Sequence, residues 1–323
     1  KELINPTSYA FLKTYINNAS PVGFETSGQK LWLEYIKQYV DTTFTDPYGT
    51  AVGVINPDAP FKVVIEAHAD EISWFVNYIN DQGLIHLKRN GGVDHQIAPS
   101  MRVWIHGKKG PVKAVFGWPA IHTRLSNPEQ KEPQPKVDNL TLDCGARSKK
   151  EVEALGIHIG SVVTYEEGFD ELANNFIIGR AFDNRVGGFM IAEVARILKE
   201  NKKKLPFGLY IVNAVQEEIG LRGAEMIARR IKPNIAIITD VTHDTHTPMI
   251  NKAIEGDIQC GKGPSLAYAP AIHNKLLAIV EETAKAKKIP VQFRTLSRST
   301  GTDTDSFAYA NDGCPSVLIS IQL

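Results

Sequence analysis

The chain has 323 residues, 43% of them hydrophobic, with 36 Lys and Arg residues balanced by 36 Asp and Glu residues. This length can bury a large core and favours two domains or one domain with an insertion. The balanced charge gives no basic surface for nucleic acid or anionic lipid. No apolar run reaches the roughly 20 residues that span a bilayer, so we expect no membrane partner. Three scattered cysteines indicate a reducing, cytoplasmic compartment.

The first part of the chain predicts helices followed by strands. Apolar residues recur at three- and four-residue spacing within residues 9–40, which predicts two helices joined by a turn. Short strands are predicted at 42–46 and 51–55. The β-branched run at 61–67 is typical of a strand buried in the centre of a sheet, and it ends directly before His68.

The pattern of residue types changes between residues 72 and 167. Short segments of alternating polar and apolar residues are separated there by glycine-containing turns. This rhythm predicts a small β-barrel or sandwich. The polar, proline-containing stretch at 126–136 is predicted to be a loop.

Alternation of helices and strands returns after residue 174. Helices are predicted at 181–204, 224–230, 274–287 and 305–311, and strands at 209–216, 235–239, 291–293 and 316–323. We therefore expect an α/β fold with a mixed, largely parallel sheet flanked by helices. Its catalytic domain would comprise residues 1–71 and 168–323, and the β-barrel at 72–167 would be an insertion.

Two adjacent carboxylates, Glu217 and Glu218, follow one of the predicted strands. Like charges this close repel unless a cation or a proton compensates them. The end of a strand is also where an α/β sheet usually places its chemistry. The plain alternative is that one glutamate caps the next helix and the other is solvated.

Four possible ligands occupy equivalent places, each just past a strand or at the start of a helix: His68, Asp183, Glu218 and Asp240. Taken singly, each has a structural explanation, such as a helix cap, a turn cap or a hydrogen-bonded histidine. Parallel strands, however, converge at one edge of their sheet. Together with Glu217 and Asp70, these groups would form a cluster of negative charge that requires cations.

The residue types in this cluster restrict the metal. Imidazole and carboxylate ligands suit Zn²⁺, Co²⁺ or Mn²⁺, and the lack of thiolates argues against a purely structural zinc site. A carboxylate can also bridge two ions about 3.5 to 4 Å apart, as in two-metal hydrolases. The sequence alone leaves the number of ions open.

Five motifs in succession give the chain a specific resemblance to the M42 family of dinuclear metallo-aminopeptidases. They are AHADEI at 67–72, AFDNRVG at 181–187, QEEIGLRGA at 216–224, TDVTH at 239–243 and GTD at 301–303. The resemblance implies a zinc-exopeptidase-like fold, and residues 143–157 resemble the family's inserted dimerisation barrel. It further implies a dimer-based homo-oligomer, up to a hollow tetrahedral dodecamer.

The resemblance also implies a role for each residue. His68, Asp183 and Asp240 would hold one metal ion, and Asp183 would bridge to a second ion held by Glu218. Glu217 would be the general base, and Asp70 would orient the imidazole. The family places one more histidine ligand shortly after its last strand; in this chain that histidine either lies beyond Leu323 or is absent. The residues that follow the TDVTH motif also differ from the usual family sequence.

The activity implied is metal-dependent hydrolysis of the N-terminal residue of peptides that have a free amino terminus. Three alternatives stay open. One is another amidohydrolase or deacylase of the same fold, and a second is a non-catalytic scaffold that has lost its second metal site. The third, a glycanase that uses paired carboxylates, leaves His68 and Asp240 unexplained.

Overall fold

The computed structural model describes residues 4–125, 133–166 and 168–323. The chain forms two compact units, one of Lys1–Asp70 with Ala181–Leu323 and one of Glu71–Arg180. Residues 168–180, expected in the catalytic domain, fall in the second unit, and the two short strands in this segment pair with each other. In the polar stretch at 126–136, residues 126–132 lie outside the described residues.

Local sequence signals mark the start of several helices. In the first, proline occupies an early position, and the side chain of Asn5 accepts a hydrogen bond from the backbone of Ser8 at 2.9 Å. The α-helices are α1 (Pro6–Asn17), α2 (Thr26–Ile36), α3 (Ile121–Arg124), α4 (Lys149–Ala154), α5 (Phe182–Glu200), α6 (Arg222–Ile231), α7 (Lys252–Glu255), α8 (Asn274–Lys287) and α9 (Thr304–Ala308). Among the described residues, no helix combines the length and apolar character needed to cross a membrane.

The strands divide between the two units. They are β1 (Thr42–Thr45), β2 (Ala51–Ile55), β3 (Lys62–His68), β4 (Ser73–Ile79), β5 (Ile85–Asn90), β6 (Arg102–Gly107), β7 (Gly110–Gly117), β8 (Thr141–Asp143), β9 (Val162–Tyr165), β10 (Asp170–Glu171), β11 (Ile177–Ile178), β12 (Gly208–Ala214), β13 (Ile235–Thr242), β14 (Ser265–Tyr268), β15 (Gln292–Thr295) and β16 (Ser316–Gln322).

The first unit is built on an eight-stranded sheet with the order β1-β2-β12-β3-β13-β16-β14-β15. The four central strands, β12, β3, β13 and β16, run parallel to one another, whereas β2 and β14 join them in antiparallel orientation. The expected mixed, largely parallel sheet is therefore confirmed. Because parallel strands end at the same edge, residues far apart in sequence meet there.

Helices cover both faces of this sheet, which explains the continuous apolar runs of its central strands. On one face, Val64, Val212 and Ile238 of the sheet pack in one cluster with Ile227 and Ile231 of α6. On the other face, α5 packs on β3, and α1 and α2 pack on α5. The packed helices therefore support the sheet from both faces, next to the edge that carries the motif residues.

The second unit contains the expected barrel. Strands β4-β5-β8-β7-β6-β9 close into one antiparallel ring. Alternating side chains of these strands fill its interior, among them Trp74, Val103, Ile105 and Phe116. Closure leaves the ring without free strand edges.

Candidate metal centre

The central strands bring four of the predicted groups to one edge. Strand β3 lies between β12 and β13, and its last residue, His68, pairs with Ala214 at the end of β12. On the other side, Glu66 pairs with Ile238, which sets Asp240 level with His68. Glu217 and Glu218 begin a short 3₁₀ helix just beyond the end of β12. Strand order, which the sequence does not reveal, therefore creates the cluster.

Asp240 lies inside its strand, not after it as the sequence predicted. β13 runs on to Thr242, because its last residues pair with β16 as far as Gln322. Oδ1 of Asp240 accepts a hydrogen bond from the backbone of Val241 at 2.7 Å, but both residues lie within β13, so Asp240 caps no turn. The same Oδ1 lies 3.8 Å from Nε2 of His68. One carboxylate oxygen therefore holds the local backbone and faces the cluster.

Asp183 does not cap α5. The N-cap position is Ala181, in the left-handed region at φ 59°, and Asp183 itself has an extended backbone at φ −76° and ψ 113°. The peptide bond between Asp183 and Asn184 is cis, and the Asn184 amide donates to the carbonyl of Thr239 at 2.8 Å. Oδ1 of Asp183 lies 3.1 Å from Nε2 of His68. The helix-cap alternative is therefore not observed.

All the predicted ligands converge on the imidazole of His68. One possible ligand atom from each of His68, Asp183 and Asp240 lies within 4.8 Å of the others, and the same holds for His68, Glu217 and Glu218. His68, Glu217 and Asp240 are buried, whereas the Asp183 side chain is 51% exposed. The two groups share the histidine and form one continuous donor cluster open on the Asp183 side.

The Asp70 carboxylate makes two kinds of contact at this edge of the sheet. Its buried carboxylate accepts backbone hydrogen bonds from Glu217 at 3.0 Å and from Glu218 at 3.1 Å. One of its oxygens also lies 3.4 Å from Nδ1 of His68. The sequence predicted only the contact with the imidazole. Asp70 therefore joins the end of β3 to the turn that carries both glutamates.

Three carboxyl groups of the cluster, those of Glu217, Glu218 and Asp240, have raised pKa values. Burial, together with repulsion from Asp303 and then Asp240, raises the pKa of Glu217 to about 9. Burial and the neighbouring Asp183 raise the pKa of Glu218 to about 8 and that of Asp240 to about 7. A cation bound among these groups would compensate their charges and favour the ionised forms.

The pKa of His68 is also raised, but by hydrogen bonds and in spite of burial. Burial lowers its pKa, but the hydrogen bonds to Asp183 and Asp70 outweigh burial and raise the pKa well above the ordinary value of 6.5. A metal ion binds the neutral imidazole, so binding here would release the proton that these carboxylates stabilise.

Sequence reasoning missed a second acidic pair beneath the cluster. Glu66 and Asp303 are almost fully buried, at 0% and 1% exposure. Burial raises the pKa of Glu66 to about 8, and burial and Glu66 raise that of Asp303 well above its ordinary value. Glu66 could have been found, because strand alternation puts it on the same face as His68, two residues later. Asp303 belongs to the GTD motif, to which the sequence assigned no role.

The donor set fits a divalent metal. It combines an imidazole nitrogen with several carboxylate oxygens, and both groups of ligand atoms are free of thiolates. Such sets suit Zn²⁺, Co²⁺ or Mn²⁺. The crowding of carboxyl groups with raised pKa values is the observation that makes a bound cation physically favourable.

The chain is similar to known aminopeptidases over most of its length. The model of the family described as M42 glutamyl aminopeptidase matches residues 49–323. The lysyl aminopeptidase of Pyrococcus furiosus is 30% identical over 318 residues, which cover 98% of this chain and 89% of that protein. The crystal structure of a TET aminopeptidase from a marine sediment thaumarchaeon matches with a TM-score of 0.92 and 28% identity, covering 98% of this chain and 88% of the other.

A third match shows likeness of fold alone. The TET1 peptidase of Pyrococcus horikoshii is 22% identical, with a TM-score of 0.85, and covers 98% of this chain and 91% of the other. That protein is described as assembling into a tetrahedron or a large octahedral shell.

Proposed function

Because the chain belongs to the M42 glutamyl aminopeptidase family and is therefore a peptidase, we propose that it releases the N-terminal residue of peptides with a free amino terminus by means of two divalent metal ions. The family match agrees with the resemblance of its five motifs, which is thereby confirmed. The convergence of four possible ligands on one sheet edge is the observation that carries the finer proposal. These residues are His68, Asp183, Glu218 and Asp240.

The residues divide between two ion positions. His68, Asp183 and Asp240 form one group of mutually close ligand atoms and would hold the first ion. Glu218 would hold the second, with Asp183 between the two as the bridging carboxylate. The exposure of the Asp183 side chain supports this role, because a bridging group at the open side of the cluster faces incoming substrate. Zn²⁺ or Co²⁺ suits the donor set best, and Mn²⁺ is the next choice.

Glu217, the glutamate that holds no metal ion in this proposal, would carry protons. When bound, the ions would polarise the scissile carbonyl and make water a better nucleophile. Glu217 would accept the proton of the attacking water and deliver it to the leaving amine. Its Oε2 lies 3.8 Å from Nε2 of His68, so it reaches the cluster without being needed for the first group of ligands. Asp70 would fix the backbone that aims both glutamates.

The barrel unit supports the proposal of a homo-oligomer built from dimers. Large apolar side chains are exposed on this unit, among them Ile97 at 61%, Ile121 at 53% and Ile159 at 57%. Exposed apolar side chains at several positions of one unit favour a protein interface. The family resemblance implies a dodecamer, and the tetrahedral assembly described for the TET1 peptidase agrees with such a form. Sedimentation velocity of the full-length protein measures this state directly.

A substrate panel tests the proposed reaction. Full-length protein reconstituted with Zn²⁺, Co²⁺ or Mn²⁺ is assayed on aminoacyl anilides and on the same compounds after N-acetylation. We expect turnover of the free-amine compounds alone, and loss of turnover after chelation. Equal or faster hydrolysis of the acetylated compounds would favour a deacylase of the same fold. Metal analysis separates a scaffold, which would bind fewer than two equivalents and turn over neither series.

A further inference from the structure

A cavity of about 550 Å³ lies at the edge of the eight-stranded sheet opposite the candidate metal centre. Ile55, the last residue of β2, lines the cavity and pairs with Leu209 near the start of β12. The metal centre lies beyond the other end of β12, and the strand from Leu209 to Ala214 extends about 17 Å. The cavity is therefore outside the proposed peptidase centre.

Four lysines surround this cavity: Lys199, Lys202, Lys203 and Lys204. All four are exposed, and none of them forms an ion pair with another described residue. Ammonium groups gathered around one cavity repel one another, and their combined potential attracts anions. The cluster therefore favours a negatively charged ligand.

The lysines are not needed to cap the end of α5. Lysine side chains near a helix C-terminus often bind its last carbonyl groups. Here backbone amides occupy these carbonyls, since Lys202 donates to Lys199 at 3.0 Å and Lys203 donates to Leu198 at 3.0 Å. The ammonium groups can therefore contact a ligand without uncapping the helix.

The carboxylates near the lysines do not neutralise them. Asp41 lines the cavity, but its Oδ2 accepts a hydrogen bond from the backbone of Asn56 at 2.8 Å, and it forms no ion pair with a described residue. Glu200 follows Lys199 in α5 and pairs with Arg196 at 3.0 Å. One carboxylate and four ammonium groups thus line the cavity, which leaves an excess of positive charge.

Hydrogen bonds hold the walls of the cavity in place. The side chain of Asn56 donates to the carbonyl of Leu205 at 3.0 Å and so joins the end of β2 to the loop after α5. The half-buried side chains of Ile55, Leu198 and Leu205 supply the apolar part of the lining. A preformed cavity of this size, with apolar and charged groups together, suits a small molecule.

We propose that this cavity binds a small molecule that carries a chain of phosphate groups. Such a chain holds several negative charges close together, which matches four lysines around one cavity. Lysine binds phosphate as a point charge, and its flexible stem lets the ammonium group reach different oxygens. A single carboxylate carries one charge and would engage fewer of these lysines.

The first test is isothermal titration calorimetry of the metal-loaded, full-length protein with ATP, inorganic tripolyphosphate and inorganic phosphate. We expect ATP and tripolyphosphate to bind at least about tenfold more tightly than phosphate, because they pair more charges. Tighter binding of ATP than of tripolyphosphate would assign the site to nucleotides, and equal binding would assign it to the phosphate chain alone. Absence of binding by both, or an affinity no higher than that of phosphate, overturns the proposal.

The second test assigns the binding to the lysines. Lys202→Gln, Lys203→Gln and Lys204→Gln combined should weaken tripolyphosphate binding at least about tenfold, because three charge pairs are lost. Tripolyphosphate also chelates divalent ions, but extraction of metal would give the same signal in the parent and in the variant. Metal content after the titration checks this point. An affinity that the triple substitution leaves unchanged refutes the proposal.

The end of α8 offers a matched control. Lys285, Lys287 and Lys288 are exposed, and Lys288 has a left-handed backbone at φ 57°, as Lys202 has at φ 51°. None of the three control lysines lines the cavity. Their combined substitution by Gln removes the same charge and should leave the affinity within about twofold of the parent. Equal weakening by both triple substitutions would show that net charge attracts the anion, and the assignment to this cavity would be wrong.

Two further readouts keep the test decisive if circular dichroism shows that the triple variant is poorly folded. Lys199→Gln alone, in the last turn of α5, should weaken binding about threefold. Added salt should weaken binding by the parent, because it screens charge pairs between exposed groups. Affinity that neither Lys199→Gln nor salt alters would contradict the proposal. None of these measurements uses peptide hydrolysis, so their outcome does not depend on the proposed function.

Discussion

Oδ1 of Asp70 accepts a hydrogen bond from the backbone amide of Glu217 at 3.0 Å. The other oxygen holds the amide of Glu218 at 3.1 Å, and the whole carboxylate is buried. A single side chain therefore fixes the direction in which both glutamates leave the end of β12. The geometry of the proposed centre depends on this residue even though it would touch no metal ion.

Asp70→Asn should weaken this arrangement. An amide in place of the carboxylate turns an N–H group toward one of the two backbone N–H donors, and a buried donor without an acceptor costs about 1 to 3 kcal/mol. We expect the free energy of unfolding to fall by this amount, and metal affinity to fall about 10- to 100-fold. Urea denaturation and metal titration measure the two effects. Asp58→Asn, at an exposed turn, is the control and should change neither.

The two adjacent glutamates should respond differently to substitution. Glu217→Gln should keep two metal ions per chain and lose about 100-fold or more in kcat, the usual effect of removing a general base. Glu218→Ala should lose metal as well as turnover. Metal content after dialysis, measured beside kcat, separates the roles. Equal metal loss in both variants would contradict the division of labour.

The stability of metal-free protein should fall as pH rises from about 5 to about 9. The pKa of Glu217 rises from an ordinary 4.5 to about 9 on folding, and that of Glu218 to about 8. Between these limits the folded chain binds more protons than the unfolded chain, so increasing pH favours unfolding.

Thermal unfolding across this pH range, with and without a saturating metal ion, measures the effect. Bound metal should flatten the slope, because it stabilises the ionised carboxylates. Glu217→Gln should reduce the slope in the metal-free protein, since one of the titrating groups is gone. A metal-free protein that becomes more stable toward pH 9 would contradict the assignment of these pKa values.

Gly223→Ala should destabilise the turn that carries the glutamates. An added Cβ would lie 2.3 Å from the carbonyl oxygen and 2.6 Å from the nitrogen of Val215, both backbone atoms that cannot rotate away. The clash outweighs the better helix propensity of alanine, and we expect a loss of about 2 kcal/mol. Gly92→Ala is the control, because nothing lies within 4 Å of its added Cβ. Denaturant titration of both variants should show a shift in the Gly223 variant alone.

The sequence could predict much of the centre because its ligands follow recognisable signals. His68 ends a β-branched run, and Glu218 follows another apolar run at a turn. The backbone at Asp183 was not predictable, since nothing local distinguishes its extended conformation from a helix cap. The extension of β13 past Asp240 depends on its neighbour β16, and pairing partners cannot be read from one strand.

The residues that were missed share one property. Glu66 and Asp303 lie far apart in the chain, and only the tertiary fold brings their carboxyl groups together. Tertiary pairing decides such positions, whereas local pattern does not.

The central strand order also couples metal loading to folding. The proposed ligands run from His68 to Asp240, and they meet only after β12, β3 and β13 have paired in parallel. Contacts so distant in sequence form late and close long loops. An unfolded or half-folded chain thus offers no complete site. Metal ions in the surrounding solution would bind the folded protein in preference to the unfolded chain, and their concentration would set how stable the folded state is.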